Sequence, residues 1–153
     1  MATWDELTAI RPGVALRLRG DEFVVERCGR FEDASGGWWE HRLSSNASGS
    51  SLWLEVPADP AAPVIAYQRS DFVGEEPDGR AEIEQGGATY PLLTRGLASY
   101  RTMERSSASK RGQLEYYEYA GGGRRVSFER RDGGAWEVSE GEEIDPAAIE
   151  LLG

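Results

Sequence analysis

The order of apolar and polar positions predicts a chain built almost wholly of β-strands. Residues 14–19 alternate apolar and basic side chains toward their end, Gly20-Asp21 marks a hairpin turn, and Glu22-Phe23-Val24-Val25-Glu26-Arg27 brings the β-branched and aromatic residues that strands favour. Gly36-Gly37 leads into Trp38-Trp39-Glu40-His41-Arg42-Leu43. A polar loop over 44–50 separates this run from strands over 51–56 and 64–67. Residues 68–80 are polar, contain Pro77-Asp78-Gly79 and read as a connector. Strand patterns return over 81–85, 88–95, 98–104, 114–119, 124–130 and 135–139. Only the two ends predict helix. Thr3 with Glu6 three residues on forms a capping-box signature that turns Trp4, Leu7 and Ile10 inward, and Arg11-Pro12-Gly13 stops it. Asp145 and Pro146 stand at the N-cap and first position of a short helix over 145–152.

The pattern runs through twice. Gly20-x-x-Phe23 corresponds to Gly87-x-x-Tyr90; Gly29 and Gly96 each follow nine residues after the first glycine, and Leu16 and Ile83 each precede it by four. Trp39-Glu40-His41 corresponds to Tyr117-Glu118-Tyr119, Leu54-Glu55 to Phe128-Glu129, and Val64 to Val138. The expected architecture is all-β: two tandem, related five-strand lobes about a pseudo-two-fold, with a short C-terminal helix. The first lobe covers 1–69, the connector 70–79 and the second lobe 80–153. Neither half alone buries enough apolar surface to stand by itself, so the halves are expected to share a core.

Charge and composition narrow the function. The net charge is −10, from 17 basic and 27 acidic residues, which argues against a nucleic-acid partner and against docking on anionic lipid. The amino-terminal residues lack a basic stretch followed by an apolar one, and no run reaches the ~20 apolar residues of a membrane span, so the expected compartment is the cytoplasm. Cys28 is the single cysteine and His41 the single histidine. A Cys28–His41 dyad is the one nucleophilic arrangement available, against the simpler reading of a core thiol and a packing imidazole. One histidine and scattered carboxylates exclude most zinc sites, and Glu140 to Asp145 lacks calcium-loop spacing and reads as a solvated turn, so no metal or cofactor is expected. Gly121-Gly122-Gly123-Arg124-Arg125 precedes a strand and not a helix, which makes it a hairpin turn in preference to a phosphate cradle.

Two features point to binding. Glu40 and Glu118 occupy equivalent places in the two halves, as do Glu55 and Glu129. If they converge near the axis they form an acid–base pair or a site for a cationic ligand such as a polyamine; the competing arrangement pairs them with Arg42, Arg130 or Arg125 across a sheet. Adjacent aromatics in a strand face opposite sides, so Trp38 and Trp39 do not share one core, nor do Tyr116 and Tyr117. Either one of each pair points outward as an interface anchor, or the strands are buried on both faces. Trp38, Trp39, Glu40, Trp53, Tyr116, Tyr117 and Glu118 are the candidate binding residues, and no catalytic residue stands out.

The runs Gly20 to Val25, Trp39 to Leu43 and Leu52 to Glu55, followed by Gly87 to Leu92, Gly96 to Tyr100, Tyr116 to Tyr119 and Val126 to Arg130, resemble an uncharacterised bacterial family, domain of unknown function 4178, over nearly the whole chain. The resemblance implies no assigned activity and no catalytic residues. It implies a setting near membrane-stress proteins of the phage-shock type, small membrane proteins and polyamine-synthesis enzymes. The function expected from all of this is a non-enzymatic binding or scaffold module for a protein partner, cytoplasmic or peripheral to the membrane through that partner. The alternative is a binder of a cationic small molecule, or a hydrolase, using carboxylates between the lobes.

Overall fold

The computed structural model describes residues 2–70 and 76–153. The chain opens with helix α1 (Trp4–Thr8), whose capping box forms as the sequence predicts: the Thr3 hydroxyl accepts from the Glu6 N–H and the Glu6 carboxylate accepts from the Thr3 N–H. Strands β1 (Ala15–Leu18), β2 (Asp21–Glu32), β3 (Trp38–Ser45), β4 (Ser51–Pro57) and β5 (Val64–Arg69) follow. The second half supplies β6 (Glu82–Gln85), β7 (Ala88–Glu104), β8 (Ser109–Gly121), β9 (Arg124–Arg131) and β10 (Glu137–Ile144). Part of the expected connector, residues 71–75, lies outside the described residues.

With a last short strand, β11 (Ile149–Leu151), these strands join one antiparallel sheet of order β11-β1-β2-β3-β4-β5-β10-β9-β8-β7-β6, which an extra β2–β7 pairing closes into an eight-strand barrel of β2, β3, β4, β5, β10, β9, β8 and β7. The two seams that close it join strands of the same ordinal place in each half, β2 with β7 and β5 with β10. The first hairpin turns on Arg19 and Gly20 at φ 54 and 81, and the β6–β7 hairpin on Gly86 and Gly87 at φ 57 and 81. Positive φ at both central positions is what a two-residue turn matching strand twist requires.

The structure departs from the sequence reading in four places. The two half-chains do not close as separate units, since each supplies four neighbouring strands to one shared wall. The stretches 88–95 and 98–104 are one 17-residue strand, because β7 is held by β6 at one end, β2 at the other and β8 along its length. The C-terminal helix does not form. Asp145 caps a three-residue 3-10 turn with Pro146 at its start, and the chain then extends as β11 (Ile149–Leu151), which adds to the free edge of β1. The free edge of β1 presents unpaired backbone N–H and C=O groups, and the extended segment satisfies them. Glu140 to Ile144, expected as a solvated turn, lie within β10.

The core has three parts. Outside the barrel, α1, β1 and β11 cover the first half over Leu7, Leu16, Val25, Leu43, Leu54 and Ile149. On the second half, Tyr90, Tyr119, Val126 and Phe128 pack with Ile83 and Trp136. Within the barrel, Phe31, Trp38, Ala98, Tyr100, Leu114 and Tyr116 fill one end. Strands β3 and β4 are therefore covered on both faces. Inward glycines make room for the large rings: a Cβ at Gly141 would lie 2.6 Å from Tyr67 Cδ1 and 2.9 Å from Ile65 Cγ2. Gly141→Ala is expected to destabilise the fold by about 1–3 kcal/mol, the usual cost of forcing a methyl into a packed interior, read as a lower urea midpoint with an unchanged slope.

Candidate functional site

The inward face of the barrel beyond the aromatic end is charged. Glu40 on β3 stands directly opposite Glu55 on β4. Glu118 on β8 and Glu129 on β9 approach the same space from the other half, because each lies on the face that the strand alternation turns inward. Arg131 reaches Glu40 at 3.6 Å and Arg125 reaches Glu118 at 3.2 Å. The Tyr67 hydroxyl donates to Glu118 at 3.3 Å, and the Ser127 hydroxyl to Glu129 at 3.5 Å. Side-chain exposure is 11% for Glu40 and 16% for Glu118. The space left between Glu40, Trp53, Tyr67, Arg69, Glu129 and Arg131 is about 10 Å³, at the lower limit for a single water.

Burial dominates the titration of this cluster. It raises Glu40, offset by Arg131 and then Arg27, and raises Glu118, offset by Arg125. Glu55 is pushed well above the carboxylate range, first by burial and then by the charges of Glu118, Glu40 and Glu129. Burial and then Glu40 push Glu129 up to about 8. Burial thus pushes all four carboxyls toward the neutral form, opposed most directly by guanidiniums at Glu40 and Glu118 and reinforced by neighbouring carboxylates at Glu55 and Glu129.

The candidate residues divide between the faces. Trp38 stacks on Phe31 at 5.2 Å and meets Tyr116 edge-on at 5.2 Å inside the barrel, and the Tyr116 hydroxyl donates to Asp33 at 2.6 Å. Trp39 faces outward against Trp4 at 5.8 Å, with the Arg30 guanidinium 4.3 Å from its ring. Tyr117, also outward, packs on Trp136 and lies under Arg95. Trp53 borders the charged lumen, with Arg69 4.8 Å from its ring. Both faces of the double-aromatic strands are covered, the second of the two arrangements that the alternation allows. The four glutamates do converge. Of the arginine partners considered for them, Arg125 is one; Glu40 takes Arg131 in place of Arg42, and Arg130 goes to Glu115.

A second feature lies outside the barrel, where the loop after α1 overhangs β2, β7 and β8. A cavity of about 600 Å³ is lined by Arg11, Arg30, Arg101, Lys110 and Arg111 among others, with no carboxylate among its lining residues. A second cavity of about 640 Å³ shares Arg30, Arg101 and Arg111 with it. Arg30 is the register partner of Arg101, and Arg101 of Arg111, so three cations stand in one row across three strands. No local sequence signal marks this row, because Arg30 lies far along the chain from the hairpin that pairs Arg101 with Arg111.

The sequence matches the family described as a domain of unknown function (DUF4178) over residues 11–146. The chain belongs to that family. The matched span contains strands β1 to β10, every barrel strand among them, and leaves out α1 and β11. An uncharacterised protein of Mycobacterium tuberculosis and one of Mycobacterium bovis are each 29% identical over 143 residues, which covers 87% of this chain. The chain spans 66% of the length of these relatives. No solved structure matches. No helix among the described residues is long and apolar enough to cross a membrane, and no group of three or more His, Cys, Asp or Glu among them is placed to hold a metal ion.

Cys28 and His41 are register partners on β2 and β3, yet each is turned to packing. Cys28 Sγ lies 3.3 Å from the Ile10 carbonyl, and burial pushes its thiol up to about 12. His41 is fully buried, its Nε2 2.8 Å from the Leu7 carbonyl, and burial lowers it to about 4. A neutral thiol beside a neutral imidazole is not a nucleophilic dyad. Cys28 is therefore expected to alkylate with iodoacetamide at pH 8 far more slowly in the native protein than in urea, measured by mass spectrometry. Glu129 gives a pH prediction. Its folded pKa lies above the ~4.3 of an unfolded glutamate, so the native state holds the extra proton and stability falls as pH rises from about 4.5 through about 8. Glu129→Gln is neutral in both states; it should flatten that decline and raise the thermal midpoint relative to wild type increasingly toward pH 8, with little gain at pH 4.5.

Proposed function

We propose that this protein is a non-enzymatic binding module, in which a rigid barrel holds a partner in the trough beside α1. The observation that carries the reading is the meeting of two open cavities at Arg30, Arg101 and Arg111, which joins ligand-sized volume to charge that the surrounding protein leaves largely unbalanced. Arg101 and Arg111 make no ion pair or side-chain hydrogen bond among the described residues, and they stand opposite each other in register. Like charges placed so cost stability, a cost that an anionic partner would relieve. The double-aromatic strands serve this role indirectly. Trp39 backs the trough and fixes Arg30, while Trp38 and Tyr116 brace the wall from within.

Convergence of the four glutamates supports the alternative of a lumenal cation site. The cation charge is already supplied there by Arg125 and Arg131, and about 10 Å³ leaves no room for an aliphatic polyamine. The trough is the better-supported site.

The reading of the barrel as a doubled unit is supported by the orientation of every matched pair. Glu40 and Glu118, and Glu55 and Glu129, all turn into the barrel; Trp39 and Tyr117, Leu54 and Phe128, and Val64 and Val138 all turn out of it. The family resemblance adds the setting: a cytoplasmic accessory of a membrane-stress or polyamine-linked system, membrane-associated only through its partner.

Arg111→Glu separates binding from folding. It turns a repulsive cross-strand pair into an attractive one, so stability should rise by about 0.2–1 kcal/mol. The protein partner recovered by tagged wild type from its host should be lost. Retention of that partner by the variant would retire the trough as the binding site.

A further inference from the structure

The chemistry of the trough narrows what it takes, on the reading that the trough is the binding site. Arg30 is immobilised: its guanidinium donates to the carbonyls of Phe31, of Trp38 at 3.1 Å and of Gly36 at 2.8 Å, and stacks on Trp39. It therefore contributes charge more than free donors. Arg101 and Arg111 are exposed and contribute both. The resident carboxylate nearest the row is Glu32, 3.9 Å from Arg30 Nε, with 60% of its side chain exposed. Neighbouring strands are ~4.8 Å apart, so the row spans two strand spacings and presents positive charge along a line and not at a point. The cations are side chains standing on strands, unlike the clustered backbone donors that cradle a phosphate at a helix start or a nest.

Apolar surface shares the trough. Pro12, Trp39 and Met103 line the larger group of residues around the cavity of about 600 Å³, and Met103 is 48% exposed. An exposed methionine beside guanidiniums suits a protein segment that carries apolar as well as acidic side chains. The positive trough is also set in a chain of net charge −10, so a like-charged acidic partner would be repelled elsewhere and attracted here, which fixes where it docks.

We propose that the trough takes an extended acidic segment of a partner protein, its carboxylates on the Arg30–Arg101–Arg111 row and its apolar side chains against Pro12, Trp39 and Met103. A carboxylate pairs with a guanidinium through two parallel hydrogen bonds, so Arg101 and Arg111 can each receive one acidic side chain.

The test uses the full chain and three probes: a ten-residue peptide of alternating Glu and Leu, the same peptide with Lys for Glu, and inorganic pyrophosphate. Binding is followed by fluorescence anisotropy and by backbone amide shifts. The Glu/Leu peptide should bind, shift the amides of Arg30, Arg101, Met103 and Arg111, and weaken about tenfold with Arg101→Glu or Arg111→Glu and on raising salt from low to high. The Lys/Leu peptide should not bind, and pyrophosphate should not displace the acidic peptide. The proposal is overturned if the acidic peptide fails to bind, if the Lys/Leu peptide binds equally, or if pyrophosphate binds more tightly and displaces it. It is also overturned if sedimentation shows a dimer that Arg111→Glu dissolves, which would make a second copy the occupant. Should the acidic peptide fail while Arg111→Glu still loses the host partner, the trough stands as the binding site and only its acidic specificity falls. Should the variant also keep the host partner, both fall.

Discussion

Everything in this fold answers to the burial of four glutamates in one barrel. Taking carboxylates out of water costs several kcal/mol each unless they are compensated, and here the compensation is divided. Arg131 and Arg125 pair with Glu40 and Glu118, while burial and neighbouring carboxylates push Glu55 and Glu129 toward the protonated form. The arrangement exists only when the barrel is closed. The acids come from β3 and β4 in one half and β8 and β9 in the other, and nothing but the β2–β7 and β5–β10 seams brings the halves round to enclose them. Closure is thus the step at which charge is desolvated, and the hydrophobic clusters outside the wall supply the driving force for it.

That division explains why β3 and β4 look as they do. A strand in a two-layer protein usually shows its polar face to water. Here the polar face of Trp38-Trp39-Glu40-His41-Arg42-Leu43 turns into the lumen, and the other face meets α1 and β1. His41 sits on that outer face, and its ring ties β3 to the carbonyl of Leu7 at the end of α1. The imidazole that looks chemical in the sequence is a spacer between helix and barrel. The same logic puts Trp38 and Trp39 into two different cores, joined through one backbone.

What the sequence made legible was local or doubled. The capping box of Thr3 and Glu6 and the strand character of the aromatic-Glu runs rest on patterns within a few residues and are present in the structure, while the first hairpin turn falls on Arg19-Gly20, one residue before the expected Gly20-Asp21. What it concealed was decided by register between distant strands. Alternation alone does not say whether a polar face meets water or the inside of a barrel, so the fate of Glu40 and Glu118 was open until β9 supplied Arg125 and Arg131. The break expected near Gly96 vanished because β7 has partners along its whole length, and Tyr116 lies over that glycine with its hydroxyl 3.1 Å from where a Cβ would stand. The Arg30–Arg101–Arg111 row is invisible in the linear chain, since the β7–β8 hairpin pairs Arg101 with Arg111 but Arg30 joins them only when the β2–β7 seam forms. The terminal helix failed for the same kind of reason: its good cap was real, but the vacant edge of β1 competed for the backbone beyond it.

The edge that β11 fills also decides how this barrel can be built into something larger. The Ala2 N–H donates to the Ile149 carbonyl at 3.0 Å, and the Leu152 N–H donates to the Ala15 carbonyl at 3.0 Å. The first and last described segments are stitched side by side. Ala2 is bonded at the start of β11 and Leu152 just past its end, so the two ends of the chain meet the barrel along the same edge strand. The ends could be linked by a short bridge and the chain reopened at the 46–50 loop without disturbing a barrel seam.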